Sequence, residues 1–532
     1  MADASVADMR RGSGHLAELP PNAVSDDMGV RHSDESYREI VRSSAVVAGA
    51  SIVTIAAGMV RVKAFALLLG PAGVGVFGIY SAFIDVAASA CGLGIASSGV
   101  RQIADADGAG DLRRVARTAS LVRRLSLALG ILAVVGFIIG AGPLARFSFG
   151  DAAQESAVAL LGVAVLFRIL GAGEGSLLQG QRQIGALAKA TIAAALVGTV
   201  ASIALVLTLG IRGVVPALLV IAAAGAGANF AYSRKLTPHL RSSVAMGARG
   251  DVVDLVTLGF AFMVSGILAL GAAYLVRIIV LRHGGIEAAG LYQAAWTLGG
   301  LYVGILLQAM GTDFYPRLTA IHRDGAAASA LINEQMRISM LLGGPGIAAT
   351  ITFAPLAMTL FYSSEFVAAA EALRWICAGM AMRIVSWPMG FILLARGMRR
   401  TFMLVDVVAF SVQVALAQLL VPMIGLVGAG MAFFGMYLVH APFVYAIARR
   451  ACGVTLSVLN LILAGGYLVI VLVLLLAFTW LHPLVAMAMG SVAAAVSGVL
   501  ATRDLLRLFP SAARWPARLR SRARLRRVRR MD

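Results

Sequence analysis

The chain has 532 residues, of which 60% are hydrophobic and 13% charged, with a mean hydropathy of +0.87. Soluble globular chains carry about a quarter charged residues, so a water-soluble enzyme or binding domain is excluded and a multi-span membrane protein is indicated. The net charge of +19 does not signal nucleic acid, because the basic residues cluster between and after apolar segments.

Taken in chain order, residues 1–42 mix Asp, Glu, Ser, Gly and Pro. They are expected to form a disordered cytoplasmic tail without a cleavable signal. Crossing about 30 Å of hydrocarbon takes about 20 apolar residues. Windows of that length place fourteen candidate spans, near 45–69, 74–100, 125–142, 156–179, 190–209, 213–233, 254–276, 287–311, 338–361, 375–395, 402–423, 425–448, 457–480 and 483–502. The breaker Gly70-Pro71 separates the first two. From 503 to 532 follows a cytoplasmic tail with nine arginines between Arg514 and Arg530, suited to lie on anionic lipid headgroups.

Charge asymmetry sets the expected orientation. Loops that would share a side with the N-terminus, together with the tail, hold 31 of the 45 Lys and Arg residues, against five in the opposite loops. This positive-inside bias predicts an even number of spans with both termini cytoplasmic.

Three stretches recur at one spacing. Lys63 to Gly70, ending at Tyr80, aligns with Arg277 to Gly284, ending at Tyr292; Arg168 with Leu177 and Leu178 aligns with Arg383 and Leu393; Gly210 to Gly213 aligns with Gly425 to Gly428. The leading offsets are 214, 215 and 215. Three ordered matches predict a duplication: a first six-helix lobe at 43–235, a second at 252–448, and an added pair at 457–502. Duplicated transporters place substrate between their repeats.

Ionisable groups within spans carry the functional expectation, since such groups normally face a bundle interior or a watery path. Arg168 and Arg383 fall near mid-membrane and are expected to line a cavity for an anionic substrate. Arg61, Lys63 and Arg277 join them as cationic candidates, although snorkelling to headgroups is the alternative for Lys63 and Arg277. Asp85 and Glu174 are candidates for ion coupling or gating. Glu174 lies six residues after Arg168, about 120° around a helix, so its partner must come from another helix. No phosphate-binding loop, zinc motif or nucleophile elbow occurs, and Cys91, Cys377 and Cys452 are scattered. Neither catalytic residues nor a metal or cofactor site is expected.

Lys63 through Gly70, Pro71, Gly73, Gly75, Gly78 and Tyr80 resembles the opening signature of bacterial O-antigen and exopolysaccharide flippases. Phe314-Tyr315-Pro316-Arg317-Leu318 is similar to an element after that family's eighth helix, and Leu393, Leu394, Arg396 and Gly397 to its tenth-helix exit. The resemblance spans roughly 40–450. It implies the multidrug/oligosaccharidyl-lipid/polysaccharide exporter superfamily: an all-α bundle of two six-helix lobes in a V around a central cavity, with two C-terminal helices appended. The implied substrate is an undecaprenyl-diphosphate-linked oligosaccharide, turned from the cytoplasmic to the periplasmic leaflet of the inner membrane, with a polysaccharide polymerase and co-polymerase as partners. A peptidoglycan lipid flippase and a multidrug or cation exporter of the same superfamily are the alternatives.

Overall fold

A computed structural model describes residues 23–150, 153–236 and 249–508. Among these residues there is helix and no strand. The helices are α1 (Ala23–Cys91), α2 (Ile95–Gly108), α3 (Leu112–Phe149), α4 (Glu155–Gly180), α5 (Ile184–Leu209), α6 (Val214–Leu236), α7 (Arg249–Ile321), α8 (Gly325–Thr352), α9 (Ala354–Phe361), α10 (Ala370–Ala395), α11 (Arg399–Ile424), α12 (Leu426–Cys452), α13 (Val458–Trp480) and α14 (Pro483–Leu508). Their lipid-facing sides expose large apolar residues such as Ile52, Leu132, Ile139, Val200 and Ile462. Exposed apolar stripes of this kind have hydrocarbon as their solvent.

By length and composition the described residues hold ten membrane-crossing stretches, or eleven if α8 and α9, bent by 83°, form one broken span. That criterion does not reproduce the expected fourteen. The shortfall lies in three stretches of 43, 52 and 46 residues, each more than twice the length one crossing requires. Each contains a glycine at positive φ: Gly70 at 63°, Gly210 at 58° and Gly285 at 77°. At Gly70 and Gly285 the chain reverses. Phe65 and Phe77 stack edge to face with centroids 5.1 Å apart, and Arg277 Nε lies 2.7 Å from Gln293 Oε1. On a straight helix those pairs would be separated by roughly 18 and 24 Å. α1 and α7 are therefore helical hairpins, and a side chain at the reversal would be strained in the left-handed region.

Elements recur at a fixed spacing. α4 and α10 both have 26 residues, and the step from Glu155 to Ala370 that relates their starts equals the step from Ile184 to Arg399 that relates α5 to α11. Gly210 (φ 58°, ψ −138°) and Gly425 (φ 64°, ψ −142°) match in backbone, and Gly70 and Gly285 share the same offset. This corrects the register of the first repeat, which the sequence alignment sets at 214. Lys63 lies seven residues before its break and Arg277 eight before its own, so the two face different directions.

Several boundaries also differ from expectation. Residues 23–42, expected to be disordered, continue α1 as helix. The sequence spaces Asp27 and Arg31, and Asp34 and Arg38, four apart, a pattern that favours helix. Residues 1–22 and the tail from 509 lie outside the described residues. The charged loop expected at 101–124 is mostly helix: α2 ends at Gly108, and Asp111 caps α3 by accepting from Arg114 N at 2.9 Å. Asp324 likewise caps α8 through Ala326 N and Ala327 N, so that helix begins at Gly325, well ahead of the expected 338.

The two halves meet along α1 and α7, where side chains such as Phe83 and Tyr274 stack at 5.6 Å and glycine backbones touch. Near the hairpin turns, Gly75 and Gly290 abut, and a Cβ on either would lie 2.9 Å from the other's amide nitrogen. Near the other ends, Gly94 abuts Gly259, and Ser98 Oγ donates to Leu255 O at 2.8 Å. Small residues permit this close approach where lipid supplies no hydrophobic drive between helices. α13 and α14 pack mainly on α8, and Arg337 of α8 pairs with Asp504 of α14 at 3.1 Å.

Candidate functional site

Between these two glycine contacts lies a cavity of about 1270 Å³. Its walls come from α1 to α6, and α7 adds Met263, Gly266 and Leu270. Gly92 and Gly94 at the end of the α1 hairpin and Gly171 and Gly175 on α4 leave the room, while Asn229 Nδ2 of α6 ties to Gly171 O at 3.0 Å. The lining is mixed in polarity: aliphatic side chains alternate with five serines, Gln179, Asn229, Arg61, Asp85 and Arg168.

Three of the sequence-predicted residues thus share one chamber. Arg168 Nη2 of α4 reaches Asp85 Oδ1 of α1 at 2.5 Å, with side chains 54% and 41% exposed. That exposure keeps both groups in contact with the cavity rather than sealed as a structural pair. Arg61 enters from the other arm of the α1 hairpin, and its Nε is buried without a hydrogen-bond partner. Ser81 Oγ, also on the wall, is in the same condition. A buried donor with no acceptor costs about 1–3 kcal/mol, so an incoming acceptor is favoured here. Two bases against one acid leave the wall cationic.

The other candidates lie elsewhere. Arg277 is 8% exposed and outside the lining; its Nε donates to Gln293 Oε1 at 2.7 Å and its Nη1 to Ala273 O at 2.9 Å. It also interacts electrostatically with Asp85, the partner of Arg168. Lys63 Nζ donates to Thr359 O of α9 at 2.9 Å, joining the halves near the hairpin turns. Glu174, 8% exposed, faces away from the cavity. It accepts from Arg123 Nε and Nη2 of α3 at 2.8 and 3.0 Å and from Ser233 Oγ of α6 at 2.5 Å. Its partners come from other helices, as the 120° spacing requires, and the result is a strap across α3, α4 and α6.

Arg383 of α10 does not line this cavity. It is half-buried and interacts electrostatically with Tyr437 and His440 of α12, whose rings pack edge to face at 5.5 Å. Sequence reasoning missed Ser81, Gln179 and Asn229 as cavity polar groups; single polar residues inside apolar runs carry no periodic signal.

Comparison with known proteins bears on what such a chamber serves. Residues 64–371, more than half of the chain, match the family described as polysaccharide biosynthesis protein. A lipid III flippase of Escherichia coli (strain K12) is 24% identical over 417 residues, covering 75% of this chain and 96% of that protein. Among solved structures, an inward-facing multidrug resistance MATE family transporter of the MOP superfamily superposes with a TM-score of 0.66 at 17% identity, covering 77% of this chain and 98% of that one. The lipid II flippase MurJ in an inward closed conformation superposes at 0.62 with 14% identity, covering 86% and 99%.

Proposed function

Because the chain belongs to the polysaccharide biosynthesis protein family, a polysaccharide flippase family of the MOP superfamily, we propose that it flips an undecaprenyl-diphosphate-linked oligosaccharide. In this reading the repeat unit moves from the cytoplasmic to the periplasmic leaflet of the inner membrane, for surface polysaccharide such as O-antigen or exopolysaccharide. The observation that carries it is the cationic chamber with Arg61 and Arg168 on its wall. A diphosphate gains most from guanidinium groups, whose planar donors match phosphate oxygens two at a time. We assign the diphosphate to Arg61 and Arg168, the sugars to the serine- and amide-lined remainder, and the prenyl chain to the surrounding lipid. Arg383 belongs instead to a polar cluster in the second half.

Dividing the three long stretches at their glycines and counting the bent pair gives fourteen spans, with both termini cytoplasmic by the positive-inside bias. Gln179 and Asn229 of the lining then lie toward the basic, cytoplasmic ends of α4 and α6. A polymerase and co-polymerase consume the flipped unit, and the arginine-rich tail meets anionic headgroups.

A second reading, flipping of a peptidoglycan lipid precursor, draws on one observation: the MurJ match covers 86% of this chain, whereas the MATE match covers 77%. Export of a cationic drug fits less well, because the wall carries two bases and one acid. The test is complementation in strains lacking the cognate flippase, with expression of each variant verified. Arg61→Gln and Arg168→Gln should abolish export, and Arg168→Lys should retain part of it. Normal export by both glutamine variants refutes the assignment; rescue of a peptidoglycan flippase strain alone selects the second reading.

A further inference from the structure

Asp85 presents a difficulty for any cavity meant to hold an anion: the carboxylate lies on the same wall and has already taken one of the two cavity arginines, at 2.5 Å. A carboxylate fixed beside a phosphate site repels the ligand and competes for its donors. Its surroundings suggest why it is tolerated. Asp85 sits on the second arm of the α1 hairpin, paired with Arg168 of α4 and within electrostatic range of Arg277 of α7; two residues before it Phe83 stacks on Tyr274 of α7, centroids 5.6 Å apart, so the two arms run side by side here. Arg277 is buried and belongs to the opposite half of the molecule. It is held by Gln293, whose side chain packs against Gly78 of α1, within 2.6 Å of where a Cβ on that glycine would be. One hydrogen-bonded pair, Arg168 with Asp85, thus stands on the cavity wall and a second, Arg277 with Gln293, at the α1–α7 seam, with Asp85 and Arg277 in electrostatic range of each other.

We propose that Asp85 is an internal counter-anion that substrate phosphate displaces from Arg168, and that the released carboxylate turns to Arg277. The exchange conserves charge. Arg168 trades a carboxylate for a phosphate oxygen, and Asp85 trades one guanidinium for another. No bond is made or broken. It also gives substrate a means of acting on the seam, because the new partner of Asp85 lies on α7. A ligand shifts a conformational equilibrium only through contacts that differ between states, and the Asp85–Arg277 contact is such a difference. Arg277 is thus a positioning residue: it acts through Asp85, without touching the ligand.

This inference rests on the anion-site reading above, and the experiment separates the two. Binding of farnesyl diphosphate, a short soluble prenyl diphosphate, is measured calorimetrically on the purified full-length protein, beside export in cells. Asp85→Asn keeps shape and removes the competitor. It should bind roughly tenfold more tightly, the gain expected when a self-contact that masks Arg168 about nine-tenths of the time is removed. Export by that variant should nevertheless fall. Asp85→Glu keeps the charge and should bind as the native protein does. Arg277→Gln should weaken binding severalfold, because the released carboxylate loses its new partner, and lower export; Arg277→Lys should recover part of both. If Asp85→Asn binds no more tightly while Arg168→Gln abolishes binding, the exchange is wrong and the anion site stands. If Arg61→Gln and Arg168→Gln both bind as the native protein does, the anion site and the exchange fall together.

Discussion

Replacing Gly290 by alanine should open the seam between the halves on the hairpin-turn side. A Cβ at this position would sit 2.7 Å from the Pro71 carbonyl carbon, closer still to its oxygen, and 2.9 Å from Gly75 N. Ordinary van der Waals contact begins near 3.4 Å, and the Pro71 oxygen sets the movement, so α1 and α7 must separate by about 1.6 Å. All three obstructing atoms are backbone, which cannot rotate away. Overpacking of this kind costs about 1–3 kcal/mol. At about 1.4 kcal/mol per tenfold, 2 kcal/mol shifts the population some 30-fold away from the closed seam. The readout is a cysteine at Ser81 on the cavity wall, in a background lacking Cys91, Cys377 and Cys452, labelled by an impermeant maleimide from the periplasmic side. Gly290→Ala should accelerate labelling at least tenfold and lower the melting temperature. Gly304→Ala, where nothing lies within 4 Å, supplies the control. Equal labelling rates in the two alanine variants would refute the claim that this glycine contact holds the seam shut.

Glu174→Ala should destabilise the protein by about 2–4 kcal/mol, since it strips charged hydrogen bonds from Arg123 and from Ser233. The fall should appear in melting temperature and membrane yield, while farnesyl diphosphate affinity stays unchanged. Lys63→Ala removes a single bond to Thr359 O and should cost no more than about 1 kcal/mol with export nearly intact; loss of export at normal expression would place Lys63 in the transport path. Cysteines introduced at Ala109 and beyond residue 509 should react only from the cytoplasmic side, and periplasmic reaction of the tail would overturn the orientation.

Hydropathy and glycine punctuation made the bundle legible, because a span must be apolar over a fixed length and must turn somewhere. Helices that do not cross the apolar layer were not legible by that signal. α2 and the first turns of α3 are charged, those of α8 are rich in Gly, Ala and Ser, and the readable marks of α3 and α8 were the caps Asp111 and Asp324. The recurring step was visible through Arg168 and Arg383, Gly210 and Gly425, but its first register was one residue off, because similar strings tolerate a slip that the breaks at Gly70 and Gly285 do not. Arg168 could be singled out as a cation in an apolar run. Asp85 was singled out too, but their pairing could not be, since the two are remote along the chain and only the packing of α1 on α4 joins them. For the same reason Arg168 and Arg383 read alike in sequence yet occupy different surroundings.

Gly75 and Gly290 are separated by the same step that carries Glu155 of α4 onto Ala370 of α10, and they touch each other. When a position meets its own duplicate, a twofold axis passes through the contact, as at the centre of an isologous dimer. At such an axis one exchange is met from both sides: neither glycine can gain a side chain without pushing on the backbone of the other.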